Sequence, residues 1–415
     1  MFWGILFIIE PLYTPSAALR GTQVTIVAGG YRGGRSTIRL IRDISMRLLR
    51  FTTCLLSQLL IPLWAAWAIV PQSEEPRDSL ETAQIGLLPL PIFFYTPETG
   101  FAGGAAVLVF YRANRADRQA RPSTVTMDII YTQKKQIIAE FNPDIYLNKG
   151  LYRLTGSITF IKYPQKFFGI GNSTPDRFEE SYSSRAFRVT ADAVRRVSAE
   201  VSAGVSLFYE TRSLSEFRPS GLLEPGTLLG SRGGTTVGAG IVVQWDTRDN
   251  IFAPTEGRYY QLSVRSSHPK LGSDFDFTRV ALDMREYLHM TETTVLAIQA
   301  VATLINGSAP FHKLAALGGQ SMMRGYYEGR YLDNKLLAGQ VEYRIPIYWR
   351  FGAVAFAGAG DVASAMSRFN LHDLKPSYGF GIRYVFNPDE KLSLRLDFGF
   401  GRNTSGVYIT AAEAF

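Results

Sequence analysis

One cysteine, Cys54, and four histidines are all that a chain of 415 residues offers to thiol or imidazole chemistry. A single thiol cannot close an intrachain disulfide, and no thiolate cluster is available to a metal. His268, His289, His312 and His372 never fall three or four residues from one another, so the paired spacing of a helical metal site is missing. No G-x-S-x-G elbow and no phosphate-binding glycine loop occur. The loose glycine pattern "GAGDVA" from Gly358 is followed by no crossover helix, and small residues on a crowded strand account for it. Enzyme chemistry, metals and cofactors are therefore not expected. Charge is scarce as well, at 19% of residues against 13% aromatics, with a mean hydropathy of zero. Soluble domains carry more charge and helical membrane bundles far more apolar residues, which leaves strand-built membrane proteins between them.

Long apolar runs are limited to one, "MRLLRFTTCLLSQLLIPLWAAWAIV" from Met46. Arg47 and Arg50 form a positive n-region, Cys54 to Trp67 an apolar h-region broken by Pro62, and Ala66-Trp67-Ala68 an A-x-A cleavage site. Residues 46–68 read as a cleaved export signal, and residues 1–45 as an upstream extension absent from the mature chain. Export would also remove Cys54. Residues 1–68 hold +5 of the formal +8, so the basic excess sits mostly in the leader and gives no reason to expect a nucleic-acid partner. Residues 69–84, polar and proline-containing, read as a short periplasmic tail.

From residue 85 the dominant signal has period two. In "RVSAEVSAGVSLFYETRS" the odd positions from Val197 to Tyr209 are apolar, against serines and glutamates between them, and in "KLSLRLDFGFG" Leu392, Leu394, Leu396, Phe398 and Phe400 oppose Ser393, Arg395, Asp397, Gly399 and Gly401. Such segments run about ten residues or more, the span of a tilted transmembrane strand, where soluble strands average five or six. Sixteen are expected: 85–95, 100–112, 123–134, 136–147, 151–162, 184–196, 197–212, 235–247, 257–267, 274–288, 293–305, 335–347, 350–360, 376–386, 390–401 and 405–415. Long gaps follow strands five, seven and eleven, placing long loops on one side, as in bacterial outer-membrane barrels. The expected fold is all-β, a 16-stranded antiparallel transmembrane β-barrel over 85–415, monomeric and facing outer-membrane lipids.

Three segments carry more specific readings. "WDTRDNIFAPTEGRYYQLSV" is a tight polar turn on the periplasmic side, in which Asp246, Arg248 and Asp249 pair with one another or with free amides, and Pro254 and Gly257 reverse the chain. "GVYITAAEAF" alternates toward a terminal aromatic, Phe415, and an exposed last strand suits edge-to-edge recruitment by an assembly machine. "GGQSMMRGYYEGRYLDN", residues 318–334, is rich in glycine, tyrosine and arginine between two alternating stretches.

"LGGQSMMRGYYEGRYLDNKLLAGQVEYRIPIY" resembles the most diagnostic segment of the bacterial surface-antigen barrels, the BamA/TamA outer-membrane assembly and translocation proteins, whose sixth outer loop has an Arg-Gly-aromatic motif matched here by Arg324, Gly325 and Tyr326. "IFFYTPETGFAGGAAV" is similar to that family's first hairpin, "FFGIGNST" and "WDTRDNIFAPTEG" to its internal segments, and Phe415 to its terminal signal. The resemblance spans residues 85–415. It implies that loop six folds back into the lumen, that Tyr326 and Tyr327 plug the pore, and that Arg324 meets an acid on a nearby strand. The family's usual aspartate, two residues after a phenylalanine, is replaced after Phe356 by Gly358, leaving Glu342 and Asp361 as candidate partners. A guanidinium withdrawn from water does require such a partner.

Two functions follow. The resemblance implies insertion or translocation of unfolded barrel clients at a lateral seam. Against it, family members carry periplasmic POTRA modules for which the tail has no room, so a separate periplasmic subunit would have to supply them. The alternative is a passive barrel or narrow pore with loop six in its lumen.

Overall fold

The period-two residues pair into one sheet. The computed structural model describes residues 84–96, 100–112, 123–133, 135–224, 226–388, 391–411 and 413–415; the leader expectations for 1–45 and 46–68, and the tail up to 83, lie outside them. The strands are β1 (Gln84–Thr96), β2 (Gly100–Arg112), β3 (Ser123–Thr132), β4 (Ile137–Leu147), β5 (Tyr152–Phe167), β6 (Glu180–Arg196), β7 (Val201–Ser215), β8 (Gly234–Asp246) and β9 (Gly257–Ser267). They continue with β10 (Asp276–His289), β11 (Val295–Ser308), β12 (Ala315–Leu317), β13 (Tyr331–Asp333), β14 (Lys335–Tyr348), β15 (Phe351–Ala363), β16 (Lys375–Asn387), β17 (Leu392–Gly401) and β18 (Thr404–Ala411).

Sixteen of these form a single antiparallel sheet in chain order, with β14 following β11, while β12 and β13 make a separate two-stranded sheet inside the intervening loop. Among the described residues no ladder joins β18 to β1. The fold is an all-β, sixteen-stranded antiparallel barrel.

The pleat sorts side chains between lipid and lumen. On the outer face Phe160 of β5 stands opposite Phe187 of β6, and Leu207 of β7 opposite Ala191 of β6, with Phe160, Phe187 and Leu207 exposed. On the opposite face Asp128, Glu140, Thr159 and Arg188 lie register to register across β3 to β6. An apolar outer band and a polar interior are what a transmembrane barrel requires. The lumen has apolar regions of its own: Ile92, Ala102, Ala106 and Ile130 near the first strands, and larger clusters under the long loops.

Several boundaries depart from the sequence reading. β1 starts at Gln84, one residue inside the expected tail. β5 and β6 extend beyond the apolar alternation, pairing Pro164 with Ser183 and Phe167 with Glu180, so the third loop shrinks to 168–179. Residues 197–200 form a turn, closed by the Val197 and Ser198 amides on the Val201 carbonyl, so β7 starts later than its pattern suggests. β18 ends at Ala411 rather than at Phe415.

Candidate functional site

Loop six, residues 309–334, leaves β11 and returns into the barrel. Its strand β12 packs Ala315 and Leu317 against Phe277, Ile305, Leu336 and Val362 of the inner wall, with Met323 and Tyr326 buried in the same cluster and Tyr331 of β13 packed against it. Apolar burial fixes the loop, and the loop then aims Arg324. This residue is wholly buried. Its Nη1 donates to Asp397 Oδ2 at 2.5 Å and its Nη2 to Glu342 Oε2 at 2.7 Å, while the guanidinium carbon lies 3.5 Å from the centre of the Phe356 ring. The Arg324 carbonyl accepts from Ser377 Oγ at 2.6 Å.

Gly325 has φ +103°, and a Cβ there would stand 2.7 Å from the Phe400 carbonyl carbon. Its amide donates to Tyr408 Oη at 2.7 Å and its carbonyl accepts from Thr404 Oγ1 at 2.9 Å. Across from it Gly399 leaves room for the Arg324 backbone and Gly401 for the Tyr326 ring, each of which a Cβ would meet within 2.7 Å. Tyr326 Oη donates to the Pro376 carbonyl at 3.0 Å and accepts from the Arg402 amide at 2.7 Å. Tyr327 packs edge-on against Phe168, 5.7 Å between centroids.

The two acids that hold Arg324 are shared. Glu342 Oε1 accepts from Arg344 Nε at 2.8 Å and lies 3.7 Å from Arg383; Asp397 Oδ1 accepts from Arg383 Nη1 at 2.5 Å, with Arg395 at 3.5 Å. Arg395 also reaches the Gln320 carbonyl of loop six at 3.2 Å. A third acid comes from the chain terminus: Glu413 accepts from Arg383 Nε at 2.7 Å and sits 3.9 Å from Arg344. Arg344 also donates to the Phe415 main-chain oxygen at 3.0 Å and to the Pro254 carbonyl at 3.3 Å. Ala414 and Phe415 bury against Tyr287 and Ala297, so the tail crosses from β18 over the inner face to β10 and β11. The exposed terminal strand expected at Phe415 is corrected by this course. In register with Val407 and Ile409, Glu413 would face lipid; leaving the sheet puts its carboxylate between two arginines instead.

A second cluster anchors the loop-six base. Glu210 is almost fully buried and accepts from Arg188 at 2.7 Å, Arg212 at 3.0 Å and Lys313 at 2.6 Å. His312 Nε2 lies 3.8 Å from the same carboxylate, edge-on to Phe275 and Phe311. Burial, with the Arg212 charge, holds His312 down at about 3, and burial brings Lys313 to about 8 against the pull of Glu210. In the β8–β9 turn, Arg248 grips Asp246 with two bonds of 2.9 Å and covers the Tyr259 ring. Asp249 accepts from the Thr255 amide and hydroxyl, both at 2.8 Å, and from Lys391. Burial works against ionising Asp249, and these donors outweigh it to hold the group at about 2.

Residues 140–409, more than half of the chain, match the Omp85 superfamily domain. The chain belongs to the Omp85 superfamily. It is a bacterial outer-membrane barrel. No curated protein matches it in sequence. Among solved structures, BamA from Haemophilus ducreyi lacking POTRA domains 1-3 has a TM-score of 0.54 at 14% identity, over 80% of this chain and 70% of that one. CdiB from Acinetobacter baumannii has a TM-score of 0.50 at 10% identity, over 80% of this chain and 66% of that one. At such identities the likeness concerns the fold.

Of the residues singled out in this Omp85 barrel, Arg324, Gly325, Tyr326 and Glu342 converge in the lumen. Asp361 does not join them: it accepts from Lys375 Nζ at 2.6 Å and from Asn172 at 3.1 Å. Asp397 and Glu413 were not singled out. For Asp397 the signal was available in "LDFGFG", where an inward acid is followed on the same face by Gly399 and Gly401, a bare groove for another backbone.

Proposed function

We propose that this Omp85 barrel inserts or translocates unfolded outer-membrane polypeptides at the seam between β1 and β18. A client strand would add to an edge by backbone hydrogen bonds, without cofactor or bond chemistry. The observation that carries the reading is the absence, among the described residues, of a ladder between the two edges. Membership of the superfamily and likeness to a BamA fold support it. A separate periplasmic subunit would deliver clients. Loop six and the terminal tail both occupy the lumen, which favours as a second reading a passive barrel with no client.

The test reconstitutes the protein in liposomes, adds a urea-unfolded client barrel and follows its heat-modifiable folding against empty liposomes. Acceleration that disappears when cysteines placed in β1 and β18 are oxidised, and returns on reduction, is the expected result. A correctly folded protein that gives no acceleration, with or without periplasmic extract, would leave the passive barrel.

A further inference from the structure

The outer wall carries a charge that nothing in the described chain neutralises. On β5 the even residues face outward, with Leu154, Ile158 and Phe160 exposed, and unbroken register carries that face to Lys162. Directly opposite on β6 stands Arg185, in the same face as the exposed Phe187. Directly opposed side chains have Cβ atoms about 5 Å apart, and like charges so placed repel. Among the described residues neither side chain has an ion pair or hydrogen bond, whereas Lys166, further along β5, is matched by Glu179 at 2.6 Å. Lys135, exposed in the turn from β3 to β4, adds a cation at the same end, and Ser213 lies opposite Arg185 on β7. By contrast, the outward loop-end pair on β9 and β10 is neutral, Ser266 and Thr278 bonded at 3.1 Å.

Depth is given by the aromatic residues. Phe160 and Phe187 oppose one another one pleat nearer the middle of the wall, and Tyr209 packs edge-on to Phe187 at 6.4 Å. Tyr131 and Ile137 occupy the cations' own rank on β3 and β4. Aromatic girdles mark the level where acyl chains meet headgroups. A paired cation just beyond the girdle meets the headgroup layer, where the dielectric is lower than in water and repulsion correspondingly stronger. An anion seated between the two would remove that repulsion.

We propose that Lys162 and Arg185 form an outward-facing site for a phosphate on an outer-leaflet glycolipid headgroup, with Ser213 and Lys135 at its edge. This rests on the long loops lying on the cell's outer side. It does not depend on client insertion.

The full chain is purified in detergent and mixed with bis-phosphorylated lipid A, the same glycolipid after phosphatase treatment, or phosphatidylglycerol, and retention is read by native mass spectrometry. The expected result is selective retention of the phosphorylated glycolipid, weakened roughly thirty-fold in a K162Q/R185Q variant and kept by K162R. Heat-modifiable mobility of the variants confirms that they fold. Equal retention by the double variant would overturn the proposal, as would equal retention of the dephosphorylated glycolipid, which would assign binding to acyl chains. Equal retention of phosphatidylglycerol would overturn the glycolipid as the source. Protease access, on intact cells, to the exposed loop between β7 and β8 separately reports the orientation of the barrel.

Discussion

Arg324 holds two buried carboxylates, but each of them also holds another arginine. Removing Arg324 therefore leaves Glu342 on Arg344 and Asp397 on Arg383, whereas removing Asp397 leaves four arginines to share Glu342 and Glu413. Breaking a buried pair costs about 3–5 kcal/mol. R324M is expected near the lower figure and D397N near the upper, measured as urea stability of the heat-modifiable form; the reverse order would mean that the arginines do not act as one network. G325A is expected to displace loop six, because its positive φ and the Phe400 backbone leave a methyl no room, and faster proteolysis of loop six would report it. Glu342 was legible because its strand's parity turns it inward beside the loop that carries Arg324. Asp397 was not, because its contact depends on where a loop settles against a strand 73 residues further along the chain.

Among the elements, alternation made the strands legible wherever lipid imposes it. It failed where the chain passes beyond the lipid band, at the loop-end extensions of β5 and β6, and where a charge occupies an apolar position, at Glu413. Loop six adds a pH-dependent contact. His312 faces Glu210 and Arg212 of β7, Arg188 of β6 and its neighbour Lys313, so a proton on it would join three cations and one carboxylate. Its folded value of about 3 lies below the ordinary 6.5, so the folded state binds fewer protons there. Its contribution is complete above pH 6.5 and is lost as the pH falls toward 3. Protection factors of the amides from Phe311 to Leu317 should drop over that window in the wild type and stay flat there in H312Q. An equal drop in both would place the pH dependence elsewhere.

At the scale of the whole barrel, loop six enters from the loop end and the terminal tail from the turn end, and both end in the same network of acids and arginines. Arg383 holds Asp397, the partner of Arg324, and Glu413 of the tail; Arg344 holds Glu342, the other partner, and the Phe415 main chain. Side chains in one buried network couple by about 0.5–3 kcal/mol, where distant ones add independently. Loop and tail are therefore expected to be thermodynamically linked, each holding the other's anchor in place. A double-mutant cycle of R324M and E413Q on urea unfolding tests this, since the acids that hold Arg324 bond to the arginines that hold Glu413, while Arg324 and Glu413 do not bond to each other. A coupling within that range would mean that pulling the tail from the lumen loosens loop six, which connects the seam strand β18 to the lumen. Additive effects would separate the two ends, and any opening at β18 would then proceed with loop six still locked.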